Sequence, residues 1–225
     1  MRIRIGIFLA AAAISLSPGA AWSQTGWNVD LTFPGNPAPS STFGGALGDE
    51  GKGYWNAIPA EGMVATVLKD FAGNDSSVVM SGPSGGFSGE NNFQGNTGDF
   101  ALLLNDGRQV LDSDTYSFTG LAEGQYMVYL YAAAPDNDRN PTRVVIAGAE
   151  GMVTGPMPGN RFEEGVTHFS TSFYLTGGSF DITVYRGQFR SSWINGMQIL
   201  AVPEPATIAA VGFGLACCLA RKRRS

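Results

Sequence analysis

Between residues 24 and 201, glycine or proline interrupts the chain roughly every 8 to 12 residues, a spacing that suits strands and leaves almost no room for long helices. Inside a helix a glycine costs about 1 kcal/mol relative to alanine and a proline about 3 kcal/mol, so the 31 glycines and 12 prolines act as breakers wherever they fall. The intervening segments alternate apolar with polar residues or are rich in Val, Ile, Tyr and Phe. Strands are predicted near residues 27–33, 63–69, 76–81, 115–119, 125–132, 142–147, 168–175, 179–185 and 193–201. Such a pattern predicts an all-β fold, a two-sheet β-sandwich.

Within segment 125–131, Tyr126, Val128 and Leu130 point one way while Met127, Tyr129 and Tyr131 point the other. Both faces are apolar, which predicts a central strand. Gly177-Gly178 predicts a hairpin joining 173–175 to 180–185. Residues 99–105 form the one candidate short helix, with Asp99 as its cap.

The two ends of the chain differ from this body. Arg2 and Arg4 precede an apolar stretch from Ile5 to Leu16, then Pro18-Gly19 and small residues around Trp22. Residues 1–23 therefore read as a secretory signal peptide, cut between Ser23 and Gln24. At the other end Val202-Pro203-Glu204-Pro205 leads into the uncharged stretch 206–220, followed by Arg221-Lys222-Arg223-Arg224. Fifteen residues make about 22 Å of helix at about 1.5 Å per residue, short for a span, but the proline-bounded entry and basic flank predict a single transmembrane helix. Four cations place that end in the cytoplasm and residues 24–201, one domain by length, outside.

Pro-Glu-Pro, a short hydrophobic helix and a basic cluster, in that order, resemble the PEP-CTERM sorting signal of exported proteins from exopolysaccharide-producing Gram-negative bacteria. The resemblance covers residues 202–225 and implies recognition of Pro203, Glu204 and Pro205 by an exosortase, an integral-membrane protease-transpeptidase for which they are substrate residues. It implies passage through the secretion translocon, anchorage in the inner membrane by the C-terminal helix, then delivery to the cell surface or extracellular matrix.

Residues 24–201 hold eight Lys and Arg against eighteen Asp and Glu. So acidic a body offers no electrostatic footprint for nucleic acid. Both cysteines, Cys217 and Cys218, lie in the tail helix, so the exported domain folds without disulfides and holds no cysteine-rich zinc site.

Signals for catalysis fail on their surroundings. Gly82-Pro83-Ser84-Gly85-Gly86 has the Gly-x-Ser-x-Gly form, but a glycine-rich loop rather than a helix follows, and His168 is the sole histidine. His168 itself reads as a surface or interface side chain on a strand. Around Gly45–Gly53 the phosphate-loop spacing is broken at Ala46 and Gly53. Asp49-Glu50 and Glu163-Glu164 read as solvated loop charges. Asp136, Asp138 and Asn140 place oxygen ligands at alternate positions, as a calcium loop would, although Pro141 and Ala147 stand where an EF-hand needs Gly and Glu. No cofactor is expected, calcium being the one candidate.

The run from Phe118 to Tyr131, with its Gly120-Leu121 and Gly124-Gln125-Tyr126 strand entry, and the closing Ile194-Asn195-Gly196-Met197-Gln198-Ile199 resemble galactose-binding-like and malectin-like jelly rolls. The resemblance implies a sandwich and the option of sugar binding. Sugars need aromatic faces beside groups that hydrogen-bond hydroxyls. Three loops carry that mix: Tyr54-Trp55-Asn56, Asn91-Asn92-Phe93-Gln94, and Arg186 to Trp193. Tyr54, Trp55, Asn56, Arg190 and Trp193 are the candidate contacts. The chain is thus expected to be an exported, non-enzymatic envelope or matrix protein with extracellular polysaccharide as its partner. A purely structural surface protein is the alternative, and a glycosidase or other hydrolase the outside one.

Overall fold

The computed structural model describes residues 24–132, 134, 138–187 and 192–203. Within them lie fourteen strands, one short α-helix and one 3-10 segment. A five-stranded sheet runs β11 (His168–Leu175), β8 (Gly124–Tyr131), β14 (Gly196–Val202), β1 (Gly26–Thr32), β2 (Trp55–Pro59), antiparallel except for β1 with β2. A six-stranded antiparallel sheet runs β10 (Ala149–Val153), β9 (Thr142–Ile146), β12 (Ser179–Arg186), β7 (Ser113–Thr119), β4 (Asp75–Ser81), β3 (Thr66–Lys69). The third, β13 (Ser192–Ile194), β6 (Asp106–Val110) and β5 (Phe87–Glu90), has three strands, so two sheets were too few.

Between the two larger sheets lies the main core. Val29 and Leu31 of β1, Tyr126, Val128 and Leu130 of β8, and Ile182 and Val184 of β12 are buried. Trp27 Nε1 donates to Ser76 Oγ on β4 at 3.0 Å, and Phe180 of β12 packs against Phe173 of β11 at 5.0 Å, tying the layers together. Strand β8 is interior to its sheet, as its two apolar faces predicted.

Three corrections concern connections. Gly177-Gly178 does not close a hairpin: β11 pairs with β8, whereas β12 pairs with β7 and β9 in the other sheet. The expected last strand is two strands, because at Asn195 the chain leaves the three-stranded sheet for the five-stranded one. Asn195 fixes that step: its N donates to Tyr131 O, its O accepts from Leu31 N, and its Nδ2 donates to Asp106 O at 2.7 Å. Helix α1 (Asp99–Leu104) forms, but Gly98 occupies the cap position and Asp99 instead accepts from Ser40 N at 2.8 Å and Ser40 Oγ at 2.7 Å.

The outer face of the five-stranded sheet is also covered. Phe43, Phe100 and Phe162 pack on it together with Trp55, Tyr131 and His168, at ring-centroid distances of 4.8 to 6.2 Å. Beside these rings runs a buried polar network. Tyr131 donates to Gln198 Oε1 and accepts from Ala46 N at 2.7 Å. Gln198 Nε2 donates to Asn28 Oδ1 at 2.7 Å and to Gly44 O at 3.0 Å, and Asn28 Nδ2 donates to Gly51 O at 2.9 Å. These bonds tie both ends of the 3-10 segment Gly45–Gly51 to the sheet and give the buried carbonyls of Gly44 and Gly51 their partners.

Candidate functional site

The candidate sugar contacts do not meet in one place. Trp55 is 3% exposed; its ring packs on Phe43 and its Nε1 donates to Phe43 O at 2.9 Å, so it presents no face to solvent. Asn56 is buried too. Its Nδ2 donates to Asn28 O and Lys69 O, and its Oδ1 accepts from Lys69 N, which joins β2 to its neighbours and leaves nothing for a ligand. Both are core residues, a correction whose cause is the cover laid over the sheet by the segment around Phe43. Tyr54, just before β2, is 41% exposed, with Lys69 Nζ 5.4 Å from its ring centroid. Arg190 lies outside the described residues, as does Asp136 of the calcium candidate. Asp138 is exposed and Asn140 half-buried, both in the approach to β9. In the remaining loop, Gln94 Nε2 bonds back to Asn92 and Phe93 packs on the core.

Trp193, on the three-stranded sheet, keeps part of its surface free and gains partners that the sequence did not suggest. Phe87 of β5 and Trp193 of β13 are both opposite Gln109 of β6. Residues directly opposite in antiparallel strands share a face, so the three side chains form one row across the sheet. The backbones of Phe87 and Trp193 are two strand spacings apart, about 10 Å, but the indole reaches across β6 to Gly89 of β5, two residues from Phe87, so the two rings lie side by side on one face. Phe87 is 59% exposed, and Gln109 and Trp193 are half-buried. The indole lies directly on Gly89, where a Cβ would collide with the ring. Glycine at 89 is therefore what lets the outer edge of the indole rest against the backbone. The opposite face of this sheet is anchored by Arg108, 2% exposed, which bonds Asp114 at 2.7 Å through Nε, Ala60 O at 2.8 Å and Gly85 O. The row is rigidly backed.

Other groups are committed elsewhere. His168 is buried rather than at the surface, with Nδ1 2.9 Å from Thr167 Oγ1 and Nε2 3.0 Å from Glu164. Burial pushes its pKa down, and the Glu164 carboxylate opposes this only in part. Ser84 is followed by β5, not by the helix that a nucleophile elbow needs. A groove of about 490 Å³ opens beside Phe173, Tyr174, Asp181 and Thr183, but the Phe173 ring is taken up by Tyr126 and Phe180. No cluster of three or more His, Cys, Asp or Glu suited to a metal occurs among the described residues.

At the C-terminal end, β14 stops at Val202 and Pro203 is exposed. Glu204, Pro205 and the predicted membrane helix lie outside the described residues, among which no helix is long and apolar enough to cross a membrane. Residues 201–224 match the PEP-CTERM protein-sorting motif. This motif implies export as a membrane-anchored precursor, with an exosortase as processing partner. No curated protein matches the chain. Among solved structures it is similar to the ANX2 ectodomain from Arabidopsis thaliana (9% identity, TM-score 0.49, 80% of this chain and 42% of that one). It is also similar to the plant receptor-like kinase FER (11%, 0.48, 80% and 42%) and to a Bacteroides uniformis beta-glucuronidase (15%, 0.38, 66% and 20%). The chain thus spans well under half the length of these structures.

Proposed function

We propose that this is a non-enzymatic, polysaccharide-associated surface or matrix protein. It crosses the inner membrane through the secretion translocon, is processed by an exosortase at Pro203-Glu204-Pro205, and holds extracellular polysaccharide on its three-stranded sheet. One observation carries this reading: Phe87, Gln109 and Trp193 form an aromatic, amide, aromatic row on a solvent-facing sheet. Aromatic faces pack against the C–H surface of a pyranose while a carboxamide exchanges hydrogen bonds with its hydroxyls. Two rings on one face beside a carboxamide offer a sugar chain an apolar surface and a hydrogen-bonding group together. The reading keeps Trp193 from the sequence-based set and replaces Trp55 and Asn56 with Phe87 and Gln109.

The test is a glycan array that includes the producing cell's own exopolysaccharide, probed with the mature surface protein and with Phe87→Ala. Binding that the substitution weakens supports the assignment. Absence of binding to any glycan by the wild type leaves a purely structural matrix role in its place.

A further inference from the structure

Asp30 sits in the middle of β1, 0% exposed, and neither of its carboxylate oxygens has a hydrogen-bond partner. Asp106, which opens β6, is 2% exposed. Its Oδ2 accepts from Phe33 N at 2.9 Å and Asn36 Nδ2 at 3.0 Å, but its Oδ1 has no partner. Lost hydration raises the pKa of both groups, and the charge of Asp106 raises that of Asp30 further. The nearest buried cation by sequence, Arg108, is spent on Asp114 and two carbonyls. Tyr131, in the same row across the sheet as Asp30, is spent on Gln198 and Ala46.

Three buried carboxylate oxygens thus face no donor. A proton shared between the two acids would satisfy at most part of this set, and a water molecule would leave the charges opposed. A hard divalent cation supplies what is missing, since it takes oxygen ligands and cancels two carboxylate charges together. Access comes from one side: Leu103 lies over Gly196, the neighbour of Asp30 on β14, whereas the neighbour on β2, Ala57, is small and exposed. Calcium takes about six to eight oxygens in a flexible arrangement, so backbone carbonyls or water must join the three free carboxylate oxygens, whereas the strict octahedron of magnesium suits two fixed side chains less well.

We propose that Asp30 and Asp106 form a buried binding site for calcium. This site lies apart from the Asp136 to Asn140 segment. It joins β1 of the five-stranded sheet to β6 of the three-stranded sheet, the strand that carries Gln109 between Phe87 and Trp193. The ion therefore sets the seating of the aromatic row on the sandwich, and it does so whether or not that row binds sugar.

The experiment uses full-length protein in detergent, stripped with a chelator and then titrated with calcium, read by thermal unfolding and elemental analysis. Calcium is expected to raise the melting temperature by several degrees and to be retained at one ion per chain. Asp30→Asn, which keeps the shape and removes a charge, should abolish the calcium response while leaving the stripped protein at least as stable as the wild type. Asp106→Asn should also abolish it. A stripped wild type that melts at the same temperature with and without millimolar calcium overturns the proposal, as does a calcium response that survives in Asp30→Asn. If neither variant folds, the wild-type titration alone decides.

Discussion

Gln198 Nε2 donates to Asn28 Oδ1 at 2.7 Å, closing a side-chain bridge over the β14–β1 ladder between residues 170 positions apart. Both side chains are fully buried, and through Gly44 O and Gly51 O they hold the 3-10 segment on the sheet. Gln198→Leu keeps much of the volume but leaves Asn28 Oδ1, Gly44 O and the Tyr131 hydroxyl short of partners. At about 1 to 3 kcal/mol for each stranded group, chemical denaturation should show a loss of at least about 3 kcal/mol.

The two tryptophans should separate cleanly. Trp55→Ala opens a cavity under Phe43 and is expected to cost about 3 to 5 kcal/mol of stability. Trp193→Ala removes a half-buried ring from a supported surface, so its stability cost should be smaller. If the aromatic row binds glycan, its Kd should rise roughly tenfold, equivalent to about 1.4 kcal/mol. Calorimetry on folded variants, paired with thermal melts, reads both effects.

His168 gives the fold a defined acid response. Its folded-state pKa is lowered by burial, so the unfolded chain, with a value near 6.5, binds the proton first. The stability that His168 contributes is present above about pH 6.5 and lost as pH falls towards the depressed folded value. Without a bound ion, Asp30 and Asp106 have raised values and run the other way, their contribution being lost as pH rises through the folded values. Between pH 7 and 5 the denaturation midpoint of the wild type should therefore fall relative to that of His168→Gln.

Processing can be read at the tail. Replacing Pro203, Glu204 and Pro205 together with alanine should leave a precursor that retains Cys217, Cys218 and the basic cluster in the inner membrane. Intact-mass spectrometry of surface protein from the unaltered strain should find those residues gone. An intact C-terminus on mature surface protein would count against exosortase processing.

Strand β8 was legible because alternation along Tyr126 to Tyr131 reports a local, two-sided environment. The hairpin at Gly177-Gly178 was misread because a glycine pair signals a turn without specifying which sheet receives the next strand. Strand β6 was invisible for a different reason: its inward residues are Asp106 and Arg108, whose polarity suggests a loop until the buried partners of Arg108 are known. The same blindness hid Gln109 and, with it, the row between Phe87 and Trp193. Alternation of Phe87 with Gly89 was the one available signal, and it resembled the glycine-rich loops on either side. Trp55 beside Tyr54 and Asn56 looked like a binding loop, since composition cannot report that Phe43 lies on top of the indole. Asp30 was hidden by regular alternation: with Asn28 and Thr32 it forms the polar side of β1, which reads as solvent-facing although all three are buried.

Strand β14 leads straight into Pro203 from the interior of its sheet, antiparallel to β8 on one side and to β1 on the other. A tether that pulls on the C-terminal side of Val202 therefore draws the strand along its own axis, loading two hydrogen-bond ladders in shear rather than unzipping one bond at a time. A pull at this end therefore meets more resistance than the same pull on an edge strand, which is held by a single ladder.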